Sequence, residues 1–170
     1  GMPRGEIDFD IGTDLRMNAL TDEVRFYEEH MDVTQGKLVL GFRLGECMED
    51  PDIPAIRVFN AVYGSGATSR LFLNVREKHS LCYYVSSLLD IRKGLLLVSS
   101  GVQAQNIEKA KDEIFSQLEA MKRGEFSEED LETARAGVAS DLRSIPDSQS
   151  ALEGFFVSQA LAGADYGPME

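Results

Sequence analysis

The chain is poor in the residues on which self-contained catalytic sites most often rest. It has two histidines, His30 and His79, and two cysteines, Cys47 and Cys82, among 170 residues. Two widely spaced cysteines exclude a disulfide framework and read as free, partly buried thiols of a reducing compartment, so a cytoplasmic location is expected. Cations are scarce as well. Lys and Arg total 17 against 29 Asp and Glu, a formal charge of −12. That argues against a nucleic-acid partner, because phosphate contacts need a basic face. The longest apolar runs, such as residues 94–98, are far too short to cross a bilayer, and no basic-then-apolar leader opens the sequence, so no membrane partner is expected. With 43% hydrophobic and 27% charged residues, the composition suits one globular domain with a substantial core.

Local patterning gives an order of elements. Residues 1–22 are weakly patterned and read as an arm or linker before a domain spanning 23–170. Val24, Phe26 and Tyr27 suggest a strand over 23–31. A turn at 33–36 follows, then a buried strand over 37–44 carrying Leu38, Val39, Leu40 and Phe42, so the two strands are expected to be neighbours or a hairpin. Residues 46–52 form an acidic loop. Asp52 and Pro54 open a helix with Ile56, Phe59, Asn60 and Tyr63 at helical spacing, and Gly64 is expected to end it in a left-handed conformation. Thr68 or Ser69 caps a second, short helix with Leu71, Phe72 and Val75 as its apolar stripe. Residues 82–89 and 95–102 read as strands joined by a hairpin loop at 90–94. Asn106 is placed as the cap of an amphipathic helix bearing Ile107, Ala110, Ile114, Leu118 and Met121, and Gly124 ends it. Ser127 with Asp130 resembles a capping box for a further helix. Pro146 stops that helix, and Asp147 or Ser148 restarts another around Leu152, Phe155, Phe156 and Leu161. Hairpin-joined strands predict an α+β fold, an antiparallel β-sheet with helices packed on one face.

Standard catalytic motifs fail one by one. A Ser-His-Asp triad has no nucleophile elbow to support it. The loop Gly64-Ser65-Gly66-Ala67-Thr68-Ser69 lacks the lysine that a phosphate-binding loop places on its ligand. An inverted zinc motif, HxxEH, comes near at Phe26-Tyr27-Glu28-Glu29-His30, but Phe26 stands where the first histidine must be. One histidine in an expected strand cannot hold a catalytic zinc. Glu28 and Glu29 read as solvated charges, and His79 as a polar helix end favoured by the helix dipole.

What is present is a run from Ser69 to Tyr84 that reads as a short helix entering a strand directly. Arg76 lies near the helix end and Tyr83 at the strand start. Strand onset at Cys82 would turn Tyr83 and Tyr84 to opposite faces, one to pack and one to reach out. Such a pair beside a sheet edge could grip an extended peptide. The bland alternative is that Arg76 pairs with an acid and Tyr83 packs with its hydroxyl wet.

The segments Gly64-Ser65-Gly66-Ala67-Thr68-Ser69-Arg70-Leu71-Phe72, Val75-Arg76-Glu77-Lys78 and Leu81-Cys82-Tyr83 resemble the C-terminal-type, non-zinc domain of M16 metallopeptidases, the pitrilysin, insulinase and mitochondrial processing peptidase family. Ser80 stands where the family pattern has glycine, and Cys82 where it has alanine. The likeness runs over about residues 23–165. It implies the LuxS/MPP-like metallohydrolase fold. It also implies a substrate-binding rather than catalytic domain, which positions a peptide against a zinc site supplied by an HxxEH-bearing domain in the same or a partner chain. By position, Arg76 and Tyr83 are the substrate-binding residues. Arginine would donate to peptide carbonyls and the tyrosine hydroxyl to the carbonyl that becomes an oxyanion. No catalytic residue and no metal ligand is expected in this chain, which alone is expected to be inactive, with zinc in the partner domain. The resemblance further implies a strand and helix after the region near Pro168, so the domain is expected to be cut short there. Two rivals stand beside it: a structural or scaffold domain of an inactive M16 homologue, and an unrelated α+β module with a deep apolar pocket remote from Arg76 and Tyr83.

Overall fold

The computed structural model describes residues 23–44 and 52–162. The expected arm at 1–22, Cys47, most of the acidic loop at 46–52 and the residues after 162 lie outside them. The elements are β1 (Gly36–Arg43), α1 (Ile53–Tyr63), a π-helical segment (Phe72–Lys78), β2 (Cys82–Asp90), β3 (Leu95–Val102), α2 (Ile107–Lys122), α3 (Glu128–Ser144) and α4 (Gln149–Ala162). The three strands form an antiparallel sheet in the order β1-β3-β2. With its helices this is the expected α+β fold.

Alternation in the strands builds the core. In β3, Leu96, Val98, Ser100 and Val102 are buried, and their cross-strand partners Phe42, Leu40, Leu38 and Gly36 on β1 are half-buried. Onto this face pack Leu71 and Val75 at the π segment and Ala110, Ile114, Leu118 and Met121 of α2. These α2 positions recur at three- and four-residue intervals, which puts them on one helical face. Leu71, Val75, Val98 and Ile114 are fully enclosed, and each such burial favours folding by about 1.5–3 kcal/mol. Tyr63 from α1 is also fully buried and satisfies its hydroxyl by donating to the Ile114 carbonyl at 3.1 Å. Burial pushes its phenol well above the ordinary tyrosine range.

Several expectations are corrected. The segment 23–31 is not a strand and pairs with nothing in the sheet; Val24 is 98% and Tyr27 85% exposed. Its apolar residues meet no facing surface among the described residues, so strand-forming composition finds no ladder to join. Asp52 and Asn106 occupy N-cap positions, but neither side chain makes the capping hydrogen bond; α2 is entered through a 3₁₀ turn at Ala104–Asn106. Gly64 is not left-handed, with φ −152°. Its lack of a side chain serves close approach instead: a Cβ there would lie 2.7 Å from Ser87 Cβ and 2.8 Å from Leu71 Cδ1. The Gly64 carbonyl accepts from Ser87 N–H at 2.9 Å, so this loop covers the outer edge of β2. The Ser127–Asp130 capping box forms as read: Asp130 N–H donates to Ser127 Oγ at 3.1 Å and Ser127 N–H to Asp130 Oδ2 at 2.9 Å.

Candidate functional site at the helix–strand junction

The junction begins at Ser69, whose buried hydroxyl donates to the Gly66 carbonyl at 2.7 Å and accepts from Phe72 N–H at 3.4 Å. The following helix is wider than an α-helix. His79 N–H reaches back five residues to the Asn74 carbonyl at 3.1 Å. Such π turns are rare and concentrate at functional sites. Side chains brace it. Asn74 Nδ2 donates to the Arg70 carbonyl at 2.9 Å and to Gln117 Oε1 at 3.2 Å; Arg70 Nε donates to the same Gln117 oxygen at 3.0 Å. Gln117 is buried on α2, so the π segment is tied to the core as well as packed on it.

The helix closes through Ser80. Its φ is +49°, the one positive value among the described non-glycine residues. Ser80 N–H donates to the Arg76 carbonyl and Leu81 N–H to the Val75 carbonyl, each at 3.0 Å. This is a left-handed helix stop of the kind that glycine favours, lengthened by one residue because the turn before it is π. It explains why glycine stands here in the pattern the sequence resembles.

Strand β2 then starts with a bulge. Cys82 pairs with Val102 and Tyr84 with Gly101, which leaves Tyr83 as the extra residue. The expectation that Tyr83 and Tyr84 face opposite sides is therefore corrected. Both are exposed, at 48% and 41%, because the inserted residue resets the alternation, as bulges do. From Tyr84 onward the alternation is regular, with Val85 and Ser87 buried and Ser86 and Leu88 exposed. Tyr84 lies over Gly101; a Cβ there would come within 2.7 Å of the Tyr84 ring. A glycine inside a strand pattern is the sequence signal for a bulge or close approach, and Gly101 carried it.

Arg76 is 41% exposed, with its guanidinium 4.6 Å from the centre of the Phe72 ring and Nε 3.6 Å from Glu77 Oε1. The acid pairing of the bland reading is thus present, but it is a solvated contact that binds little. Arg76 also sits close enough to Cys82 to act on its thiol. Burial pushes that thiol above its ordinary pKa, while a hydrogen bond with Ser100 and the Arg76 charge pull the other way. Tyr83 does not pack with a merely wet hydroxyl: its oxygen accepts from Gln103 Nε2 at 2.9 Å. The Arg76 charge thus reaches Cys82, and Tyr83 follows Cys82 in the chain, on the bulge. Gln103 was not singled out from the sequence, since nothing local marks it.

The zinc near-match at 26–30 is in neither a helix nor a strand. His30 is exposed, with its Nε2 3.3 Å from Glu28 Oε1. Among the described residues no group of three or more His, Cys, Asp or Glu could hold a metal, so a catalytic zinc does not fit this chain's described residues. No described helix is long and apolar enough to cross a membrane. A wide groove of about 840 Å³ lies between α1, the end of β2 and α3. Asn60, Asn74, Ser87 and Asp130 are in its wall, and Arg76 and Tyr83 are not. Leu73, Leu88, Val138 and Leu142 line it as well, so it is largely apolar and remote from Arg76 and Tyr83 as the unrelated-module rival required, but it is an open groove rather than a deep pocket.

Comparison with known proteins agrees with this fold. Residues 16–138 match the family described as the peptidase M16 inactive domain. A Bacillus subtilis (strain 168) protein named "Probable inactive metalloprotease YmfF" is 43% identical over 131 residues, 77% of this chain and 31% of that protein. YmxG of the same strain, named an uncharacterized zinc protease, is 32% identical over 61% of this chain and 26% of its own length. The chain therefore spans about a third or less of these relatives. Among solved structures, a conserved protein from Enterococcus faecalis V583 superposes with a TM-score of 0.72 at 29% identity, over 76% of this chain and 30% of that one. The M16 inactive domain from Pseudomonas fluorescens gives 0.68 at 24% identity, over 79% and 32%, and supports the fold alone. The motif run from Gly64 to Tyr83 falls inside the matched region, and this chain belongs to the M16 peptidase family, as an inactive-type domain.

Proposed function

We propose that this chain is the substrate-binding, non-catalytic domain of an M16-type zinc peptidase. It holds an extended peptide against an HxxEH-bearing domain that carries the zinc, in the same or a partner chain. The observation that carries the reading is the bulge at Tyr83. It costs the sheet one ladder position and turns a phenol outward at the residue after Cys82, while Arg76 stands half-exposed at the end of the helix that leads into this strand. Arg76 offers a planar fork of donors to peptide carbonyls, and its stacking on Phe72 limits the conformations it must give up on binding. Tyr83 offers a hydroxyl to a carbonyl oxygen, a contact that strengthens as charge develops there. We place this assembly in the cytoplasm, where Cys82 stays a thiol.

The test uses the full-length protein with its zinc-bearing half. Tyr83→Phe is expected to lower peptide turnover by up to about a hundredfold, and Arg76→Ala to weaken binding of fluorescein-labelled unfolded casein. The melting temperature should stay unchanged in both. Normal turnover and binding in both variants would sink the assigned roles.

A scaffold reading is supported by one observation: the relative at 43% identity is itself named inactive. Under that reading the full-length protein carries no HxxEH motif, no adjacent gene supplies one, and labelled casein does not bind.

A further inference from the structure

We infer that Gln103 is a positioning residue that leaves the Tyr83 hydroxyl proton free to donate to the bound peptide. The inference rests on the peptide-holding reading of the same site. A phenol has one proton to give and an oxygen that can accept. Gln103 Nε2 donates to Tyr83 Oη at 2.9 Å, so the accepting side of that oxygen is occupied by the protein. The other end of the Gln103 amide is held too: Gln105 Nε2 donates to Gln103 Oε1 at 3.1 Å. With its carbonyl engaged, the amide presents its nitrogen, not its oxygen, to Tyr83. An –NH₂ group has donors only, so it does not consume the phenol proton. A hydrogen bond received at the oxygen also polarises the O–H and makes it the better donor.

The backbone keeps this arrangement in place. Gln103 follows Val102, the β3 residue that pairs with Gly36 on one side and Cys82 on the other. Its carbonyl accepts from Asn106 N–H at 2.8 Å, which closes the turn into α2. Tyr83 is delivered from the opposite strand by the bulge. Without the extra residue, alternation would send this side chain toward the face that Val85 occupies. The bulge therefore aims the phenol and Gln103 orients its proton.

Gln103→Glu nearly preserves the shape and reverses the polarity. An ionised carboxylate only accepts, so it draws the phenol proton toward the protein, while Gln105 can still donate to it. Gln103→Met removes the bond without a competitor. With fluorescein-labelled unfolded casein and the full-length protein, Gln103→Met should weaken binding by about two- to tenfold, the range of one net hydrogen bond. Gln103→Glu should weaken it further, toward the level of Tyr83→Phe. In a Tyr83→Phe background neither change should matter, because the effect runs through that hydroxyl. A merely structural glutamine would act alike in both backgrounds. A ligand-free readout accompanies this: Tyr83→Phe should shift the Gln103 side-chain amide resonances.

If Tyr83→Phe weakens binding while both Gln103 variants bind like wild type, the positioning role is overturned and the site reading survives. Undiminished effects of the Gln103 variants in the Tyr83→Phe background, or unmoved amide resonances, overturn it equally. If Tyr83→Phe leaves casein binding intact, or casein does not bind at all, the site reading falls and takes this inference with it.

Discussion

The helix–strand junction has two sides that differ in almost every physical respect. Its inner side, Leu71, Val75, Val85 and Gly64, is closed, apolar and at contact distance. Its outer side, Arg76, Ser80, Tyr83 and Tyr84, is polar or aromatic, solvated and conformationally unusual: a π turn, a left-handed serine and a bulge within twelve residues, 72–83. Irregular backbone stands where side chains must be aimed outward, and close packing stands underneath to hold it there. Stability and binding should therefore separate cleanly between the two sides.

The largest effect should come from within. Leu71→Ala, at a fully buried position, should cost about 2–5 kcal/mol in urea unfolding; a loss below one would mean that the inner side is not the anchor of the junction. Gly64→Ala should cost about 1–3 kcal/mol, because the new methyl meets Ser87 and Leu71 and one of them must shift. The opposite sign is expected outside. Ser80→Gly relieves a left-handed non-glycine residue and should raise stability by about 0.5–1 kcal/mol, offset in part by the freer unfolded chain. The smallest effect is chemical rather than thermodynamic. Cys82, whose thiol burial holds protonated above its ordinary pKa, should alkylate more slowly than an unfolded control at pH 8. Arg76→Ala should slow it further, since the cation favours the thiolate. An unchanged rate in that variant would mean that the Arg76 charge does not reach Cys82.

Most of the architecture was legible, and the reason is visible in particular elements. Residues 37–44 and 95–102 alternate, and α2 repeats its apolar residues at helical spacing; each pattern finds a matching surface. The segment 23–31 has the same apolar and aromatic ingredients, yet it stays out of the sheet. Composition states what a segment could pair with, while pairing needs a second surface. The candidate residues Arg76 and Tyr83 were legible through resemblance. Their presentation was not. A π turn and a bulge are each a one-residue change of register, decided by packing against α2 and β3; Gly101 inside a strand pattern was a signal for the second, and no local pattern of residue types encodes the first. Gln103 was hidden for a similar reason: it lies 20 residues from Tyr83, and only strand pairing brings them together.

The wide turn at Phe72–Lys78 makes the junction sensitive to length as well as to identity. Each residue of an α-helix advances the chain by about 100°. A deletion of one residue inside this turn could relax it to an ordinary helix with hardly any loss of hydrogen bonds. The residues beyond would keep their facing, because a wide turn absorbs its extra residue locally, whereas side chains inside it, Arg76 among them, would be re-aimed. A variant shortened by one residue in this turn is therefore expected to keep a folded domain while presenting Arg76 differently.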